Sequence, residues 1–455
     1  MEKYFKLQEN GTDVRTEIIA GITTFLSMVY ILAVNPSILA ASGLDSGAVF
    51  TATAVSAAFA TFFMAFFANY PVALASGMGL NAYFAYSVCI PMAEAGITDP
   101  WKIGLTAVLC EGIIFILLSL TNFREKLVND VPPNLKYGIT AGIGLFIVIV
   151  GLKSAGIVVG SDSTLVDLGK VGSPEFVLAF IGFLLIAILA HYNIKGYVLW
   201  GILGTWVLGM LAQAIGWYQV DPEAGVYSLY PSFSGSSFAA PTMFQFNFGW
   251  ALNNIVEFVV ILFSFLFVDL FDTVGTLIGV ASKGNLLDRN GNLPRAKGAL
   301  MSDALGTILG ACLGTSTVTS FVESTAGVAA GGRTGLTSVV TGLLFLIALP
   351  FAPIFLAIPG FATTPALVYV GLLMVSSIKN MDFETDIAET IAGFLAVIMM
   401  PFTYSIANGI MFGMLSYVIL KVATGKSKDI APVMWVSFAL FAVRLFTLIY
   451  GIGFH

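Results

Sequence analysis

Phe258-Val-Val-Ile-Leu-Phe-Ser-Phe-Leu-Phe-Val-Asp-Leu-Phe-Asp-Thr-Val-Gly-Thr-Leu-Ile-Gly-Val280 is long and apolar enough to cross a bilayer, yet it carries Asp269 and Asp272. Their spacing of three sets both carboxylates on one face of a helix. Ionisable groups at membrane depth are costly, which makes an ion or substrate pathway the functional reading; the competing one is a pair of structural acids satisfied by Ser and Thr hydroxyls. A second oddity follows about fifty residues on. Gly314-Thr-Ser-Thr-Val-Thr-Ser-Phe-Val-Glu-Ser-Thr-Ala-Gly-Val-Ala-Ala-Gly-Gly332 is a short span crowded with small and hydroxyl residues, with Glu323 at its middle. Irregular backbone in a membrane survives only where protein or a cavity supplies its hydrogen bonds, so a broken span beside buried acids points to a binding site.

Composition sets the class. The chain has 455 residues, 58% hydrophobic and only 10% charged, with a mean hydropathy of +0.93, which excludes a soluble globular protein. Apolar runs of about 20 residues recur along its length, each matching the hydrocarbon thickness of a bilayer. The reading is an all-α polytopic membrane protein with fourteen spans between residues 17 and 421. With a cytoplasmic N-terminus, sixteen of the twenty Lys and Arg fall on the inner side, among them Arg124, Lys126, Lys195, Arg289 and Lys379; Lys102, Lys153 and Lys170 fall outside, and Arg444 lies in a last apolar segment, residues 430–452. The segment 217–250, free of Lys and Arg, behaves as an exported loop. Residues 430–452 read as either a fifteenth span or an interfacial helix. Residues 1–17 are polar and lack a signal-peptide core, so the first apolar run is expected to be a retained span. Nothing basic suggests nucleic acid, and Cys89, Cys110 and Cys312 sit in apolar segments as separate thiols, without a disulfide or metal pattern.

The third span, residues 71–91, mirrors the tenth, 315–330: both are short and Gly-interrupted, and seven spans apart they occupy matching places in halves of opposite orientation. Candidate ligand-facing residues are Gly79 and Asn81 in the third span, Asp269 in the eighth, and Glu323, Ser324 and Thr325 in the tenth; Asp272 is expected to serve coupling or geometry. At Gly79 a side chain is expected either to clash or to forbid a positive φ. Asn81 competes with a plain helix-fastening role. Glu111, Glu257, Asp303 and Glu389 read as packing, interfacial or gating residues, and Tyr83, Phe84 and Phe271 as packing aromatics that could also stack on a flat ligand. An acid-rich site with no Lys or Arg deep in the adjoining spans favours a cation or a neutral molecule rich in N–H donors. His191 at a span end and terminal His455 leave proton coupling to carboxylates. They also leave no nucleophile–base pair or metal set for an intramembrane enzyme; an ion channel would need a continuous polar pore.

Ser76-Gly-Met-Gly-Leu-Asn-Ala-Tyr-Phe-Ala-Tyr86, Val268-Asp-Leu-Phe-Asp-Thr-Val-Gly-Thr276 and Val322-Glu-Ser-Thr-Ala-Gly-Val-Ala-Ala-Gly-Gly-Arg-Thr-Gly335, with Phe5-Lys-Leu and Gly21-Ile-Thr-Thr-Phe-Leu-Ser-Met-Val-Tyr-Ile31, resemble the Azg-like purine permeases of the nucleobase cation symporter-2 family, to about residue 425. The resemblance implies two inverted repeats of seven spans with short strands in the third and tenth, as in the uracil-transporter architecture. It implies a cytoplasmic N-terminus at 1–16, a core domain at 17–121 and 251–358, a gate domain at 122–216 and 359–421, an external loop at 217–250 and a C-terminal segment at 422–455. It also implies roles for Asn81, Asp269, Asp272 and Glu323 in binding and transport, and often a homodimer. The function so implied is proton-coupled purine nucleobase uptake across the inner or plasma membrane, hypoxanthine or guanine before adenine, with no cofactor. A uracil or xanthine carrier of the same fold is the nearest alternative.

Overall fold

The computed structural model describes residues 2–120, 131–161, 163–221, 226–231, 239–287 and 293–449. Arg124, Lys126, Arg289 and His455 lie outside them, as does part of the 217–250 segment.

A turn of helix at Glu2–Phe5 is followed by α1 (Val14–Met28), α2 (Ile31–Ala40) and α3 (Ser46–Phe63), which runs on as a π-helical turn to Ala68. The helical run then breaks. Strand β1 (Leu74–Ser76) leads into α4 (Met78–Ala82), which continues through a π-helical stretch, Tyr83–Cys89, to Glu94. Next come α5 (Pro100–Leu120), α6 (Pro133–Ser154), an exposed hairpin of β2 (Val158–Ser161) and β3 (Leu165–Leu168), α7 (Pro174–His191) and α8 (Tyr197–Ala214). The second half holds α9 (Phe248–Asn253), the 29-residue α10 (Ile255–Lys283) and α11 (Ala296–Leu313), then β4 (Val318–Ser320) leading into α12 (Ser324–Ala329). It ends with α13 (Gly335–Ile347), α14 (Ala352–Leu356), α15 (Gly360–Val375), α16 (Ile387–Phe402), α17 (Ile406–Ala423) and α18 (Pro432–Ile449). Among the described residues, eight helices are long and apolar enough to cross a membrane by length and composition, or nine if the bent pair α13–α14 is one span. The half-helices α4 and α12 escape such a count because each is shorter than a bilayer.

Helices pack in two groups. In one, α3 lies against α11 and α13, α5 against α11, and α1 against α12 and α13; in the other, α6 lies against α15 and α16, α7 against α8 and α15, and α16 against α17. The second group is stitched by glycine: a Cβ on Gly138 would stand 2.4 Å from the Gly393 carbonyl oxygen, so two helix backbones touch there. The groups meet more sparsely, chiefly where α4 faces α6 and α8 faces α1. Helix α18, the apolar segment left open by composition, packs on both α17 and α10.

The broken spans cross at the centre of the first group. Strands β1 and β4 pair antiparallel with Leu74 opposite Ser320, Ala75 opposite Thr319 and Ser76 opposite Val318. The Gly77 amide donates to the Thr317 carbonyl and the Phe321 amide to that of Ala73, both at 3.0 Å, extending the ladder at each end. A two-stranded sheet has two free edges, and here threonines fill them. Thr61 on α3 accepts from the Leu74 amide (3.0 Å) and donates to its carbonyl (3.1 Å), and Thr307 on α11 donates to the Val318 carbonyl (3.0 Å). Thr61→Val keeps the volume and strands both polar groups of Leu74, so it should cost about 1–3 kcal/mol of stability. A lowered melting temperature of the detergent-solubilised protein is the expected reading; an unchanged one would mean that the edge needs no partner.

Candidate functional site

Both half-helices start at one cavity. It has a volume of about 610 Å³ and is walled by Gly77, Met78 and Gly79 of the α4 start, Phe321, Val322, Glu323 and Thr325 of the α12 start, Asp272 and Thr276 of α10, Ile143 and Ile147 of α6, and Tyr197 of α8. One end reaches Ser376, Ser377, Lys379 and Asn380 beyond α15. A smaller pocket of about 180 Å³ shares Tyr197, Glu323 and Thr325 with it. The cavity thus lies between the two helix groups, beside the starts of both half-helices.

Glu323 is half-buried at the head of α12, and its Oε1 accepts a 2.5 Å hydrogen bond from the hydroxyl of Tyr30, at the α1–α2 junction. Tyr30 carries no signal of its own in sequence beyond its place in the Gly21–Ile31 motif; pairing across 293 residues needs the fold. Tyr197 is the other residue missed, a cavity-wall aromatic whose ring meets Tyr369 edge-on at 5.2 Å.

The two acids of α10 part company. Asp272 stands on the cavity wall. Asp269 is fully buried behind it, where Thr273 Oγ1 lies 2.9 Å from Asp269 Oδ1, 2.8 Å from Asp303 Oδ1 and 2.6 Å from Thr319 Oγ1. A single hydroxyl therefore ties α10 to α11 and to β4.

Asn81 and Ser324 are buried and absent from the cavity wall. Ser76 Oγ donates to Asn81 Oδ1 at 2.7 Å, so Asn81 fastens β1 to α4, while Ser324 Oγ accepts from the Ala73 amide at 3.0 Å and fastens β1 to α12. Thr325 is on the wall, its hydroxyl donating to the Val322 carbonyl at 2.8 Å. Gly79 has no positive φ; what excludes a side chain there is space, since a Cβ would stand 2.7 Å from Ile143 Cγ2 across the groove between the helix groups. Tyr83 and Phe84 are buried against Phe265, with centroid distances of 4.7 and 6.4 Å. Glu111 accepts from Thr317 Oγ1 at 2.6 Å. Among the described residues no group of three or more His, Cys, Asp or Glu could hold a metal ion.

A helical multi-pass fold whose broken spans cross at an acid-lined cavity defines a membrane transporter. The chain belongs to the Permease family, whose model matches residues 15–412. It is a permease and not an enzyme. Adenine permease AdeP of Escherichia coli (strain K12) is 42% identical over 445 residues, covering 98% of this chain and 96% of that one. Guanine/hypoxanthine permease PbuO of Bacillus subtilis (strain 168) is 43% identical over 446 residues, covering 98% and 100%. The fold is similar to the transmembrane domain of a cyanobacterium bicarbonate transporter, BicA, with a TM-score of 0.66 at 15% identity, over 87% of this chain and 97% of that one.

Thr273→Val should remove the shared hydroxyl and take a donor from a buried carboxylate, at a cost of about 1–3 kcal/mol. Its melting temperature should fall, whereas Asp272→Asn, on the cavity wall, should melt close to the unaltered protein. Equal melting of all three would free Thr273 of any structural task.

Proposed function

We propose that this permease takes up purine nucleobases, coupled to protons, across the inner or plasma membrane. The observation that carries the reading is that Asp272 and Glu323 face one cavity at the heads of paired half-helices, in a chain 42–43% identical to adenine and guanine/hypoxanthine permeases over nearly its whole length. A purine offers ring N–H and amino donors and a flat face. Carboxylates accept the donors, and Tyr197 and Phe321 supply apolar walls.

In this reading Glu323 binds purine N–H groups, with Tyr30 orienting it, and Asp272 accepts a second donor or a proton. Asp269, with Thr273 and Asp303, holds the geometry behind the cavity, exchanging the parts that the sequence alone suggested for the two α10 acids. Asn81 and Ser324 keep the half-helices in place, and Gly79 and Thr325 shape the wall. The chain would comprise fourteen spans in two inverted repeats of seven. The strand-to-half-helix units at 74–82 and 318–329 support this, since each repeat contributes one. The group of α1–α5 with α10–α13 would be the core domain, moving against a gate domain of α6–α8 and α15–α17, and the assembly would be a homodimer.

Uptake of radiolabelled hypoxanthine into cells or vesicles, competed by guanine, adenine, xanthine and uracil, tests the substrate. Competition by the purines hypoxanthine, guanine and adenine and none by uracil is expected; preference for uracil or xanthine would move the chain to the alternative carriers. Glu323→Gln should weaken uptake affinity by about 1–3 kcal/mol, or abolish transport, at normal surface expression. A protonophore should collapse concentrative uptake while exchange of internal for external purine persists; uptake that follows sodium and ignores the pH gradient would refute proton coupling.

A further inference from the structure

A second cavity, of about 480 Å³, lies along the same seam between the helix groups and is lined by Tyr86, Ile90, Glu94, Val150, Lys153, Ser154, Thr403 and Tyr404 among others. Its relation to the central cavity is written in two helices. On α6, Thr140, Ile143 and Ile147 line the central cavity while Val150, Lys153 and Ser154 line the second, a single stripe at helical spacing. On α4 and its continuation, Gly77, Met78 and Gly79 line the first, and Tyr86, Ile90 and Glu94 the second. The two cavities are therefore successive chambers of one groove, on either side of a closure.

The closure is aromatic. Tyr404, in the turn between α16 and α17, meets the Tyr86 ring edge-on at 5.9 Å and the Phe146 ring at 5.5 Å, and the Lys153 ammonium sits 4.7 Å from its ring centroid. Tyr86 of the α4 continuation and Ser154 of α6 both line this second chamber. Phe146 is fully buried on the same helix, directly before Ile147, the last α6 residue on the central-cavity wall. Both tyrosines stand on unusual backbone. Tyr86 lies in the π-helical stretch Tyr83–Cys89, a form that concentrates at functional sites. Tyr404 holds a φ of 51° as the left-handed residue that closes α16, where the Ser405 amide donates to the Met400 carbonyl and the Tyr404 amide to that of Pro401.

We infer that the second cavity is an outer waiting site for a planar nitrogen heterocycle, and that Tyr86, Tyr404 and Phe146 form the seal between it and the central site. Its volume falls in the ~300–1,000 Å³ range of small-molecule sites. Two tyrosine faces suit a flat ring, the Lys153 ammonium and the Ser154 and Thr403 hydroxyls can donate to ring nitrogens or carbonyls, and Glu94 at the rim can accept from N–H groups. The ligand rests on the purine reading above; the seal does not.

The test uses the full chain with Cys89, Cys110 and Cys312 replaced, and a membrane-impermeant thiol reagent applied to right-side-out vesicles. A cysteine at Thr403 should be labelled from outside, and saturating hypoxanthine should protect it. A cysteine at Ile147, on the central-cavity side, should resist labelling with Tyr404 intact, become labelled in the Tyr404→Ala background, and resist again with Tyr404→Phe. In Tyr404→Ala the hypoxanthine concentration for half-protection at Thr403→Cys should rise about fivefold or more, the loss of one stacked ring. Labelling of Thr403→Cys that no purine slows would overturn the waiting site. Labelling of Ile147→Cys that is indifferent to Tyr404→Ala would overturn the seal. A chain that takes up no purine yet shows the Tyr404-dependent change at Ile147→Cys would keep the seal and refute the substrate assignment instead.

Discussion

Everything around the cavity depends on keeping six strand residues hydrogen-bonded in a medium that offers no water. A backbone amide or carbonyl left bare at membrane depth costs several kcal/mol, and β1 with β4 would present two open edges. The ladder between Leu74–Ser76 and Val318–Ser320 satisfies the inner edges, and Thr61 and Thr307 cover groups on the outer ones. Once the crossing is tied in this way, α4 and α12 must both begin beside it, so their starts converge on one space. The cavity follows from where the backbone can afford to be irregular.

The buried acids divide by what they touch. Glu17 accepts from the Arg333 and Thr337 amides (2.8 and 3.0 Å) and from the Thr337 hydroxyl (2.6 Å), so it caps the start of α13. Glu111 holds Thr317, just before β4, and Asp269 and Asp303 share Thr273. Asp272 and Glu323 alone among these six reach the cavity wall. Hydroxyl side chains thus act as the common connector, letting carboxylates serve as fasteners within the first helix group while two remain directed at a ligand.

The membrane class, the acids of α10 and the two strand-to-half-helix breaks are legible in sequence because each is a local anomaly: charge where apolar residues belong, or glycine and threonine where leucine belongs. Which acid of α10 faces the cavity is not. Residues three apart on a helix differ by about 60° in direction, enough to aim Asp272 at open space and Asp269 at α11, and only the position of α11 decides which is which. The expectation for Asn81 as a ligand-facing residue met the same limit, since its bond to Ser76 depends on β1 passing directly into α4 through Gly77. Tyr30 and Tyr404 could not be singled out among 15 tyrosines, because what marks them is a partner far along the chain or a backbone angle.

The crossing also dictates an order of manufacture. The Ala73 amide waits for the hydroxyl of Ser324, 251 residues later. At ribosomal speeds of ~5–20 residues per second, that interval is roughly 10–50 seconds. Throughout it β1 sits in the nascent half-protein without its partner strand, a polar interruption that cannot rest against lipid. The first half must therefore linger at the insertion machinery or in a watery crevice until the second arrives, which makes this chain dependent on its biogenesis apparatus in a way that a bundle of unbroken helices would not be.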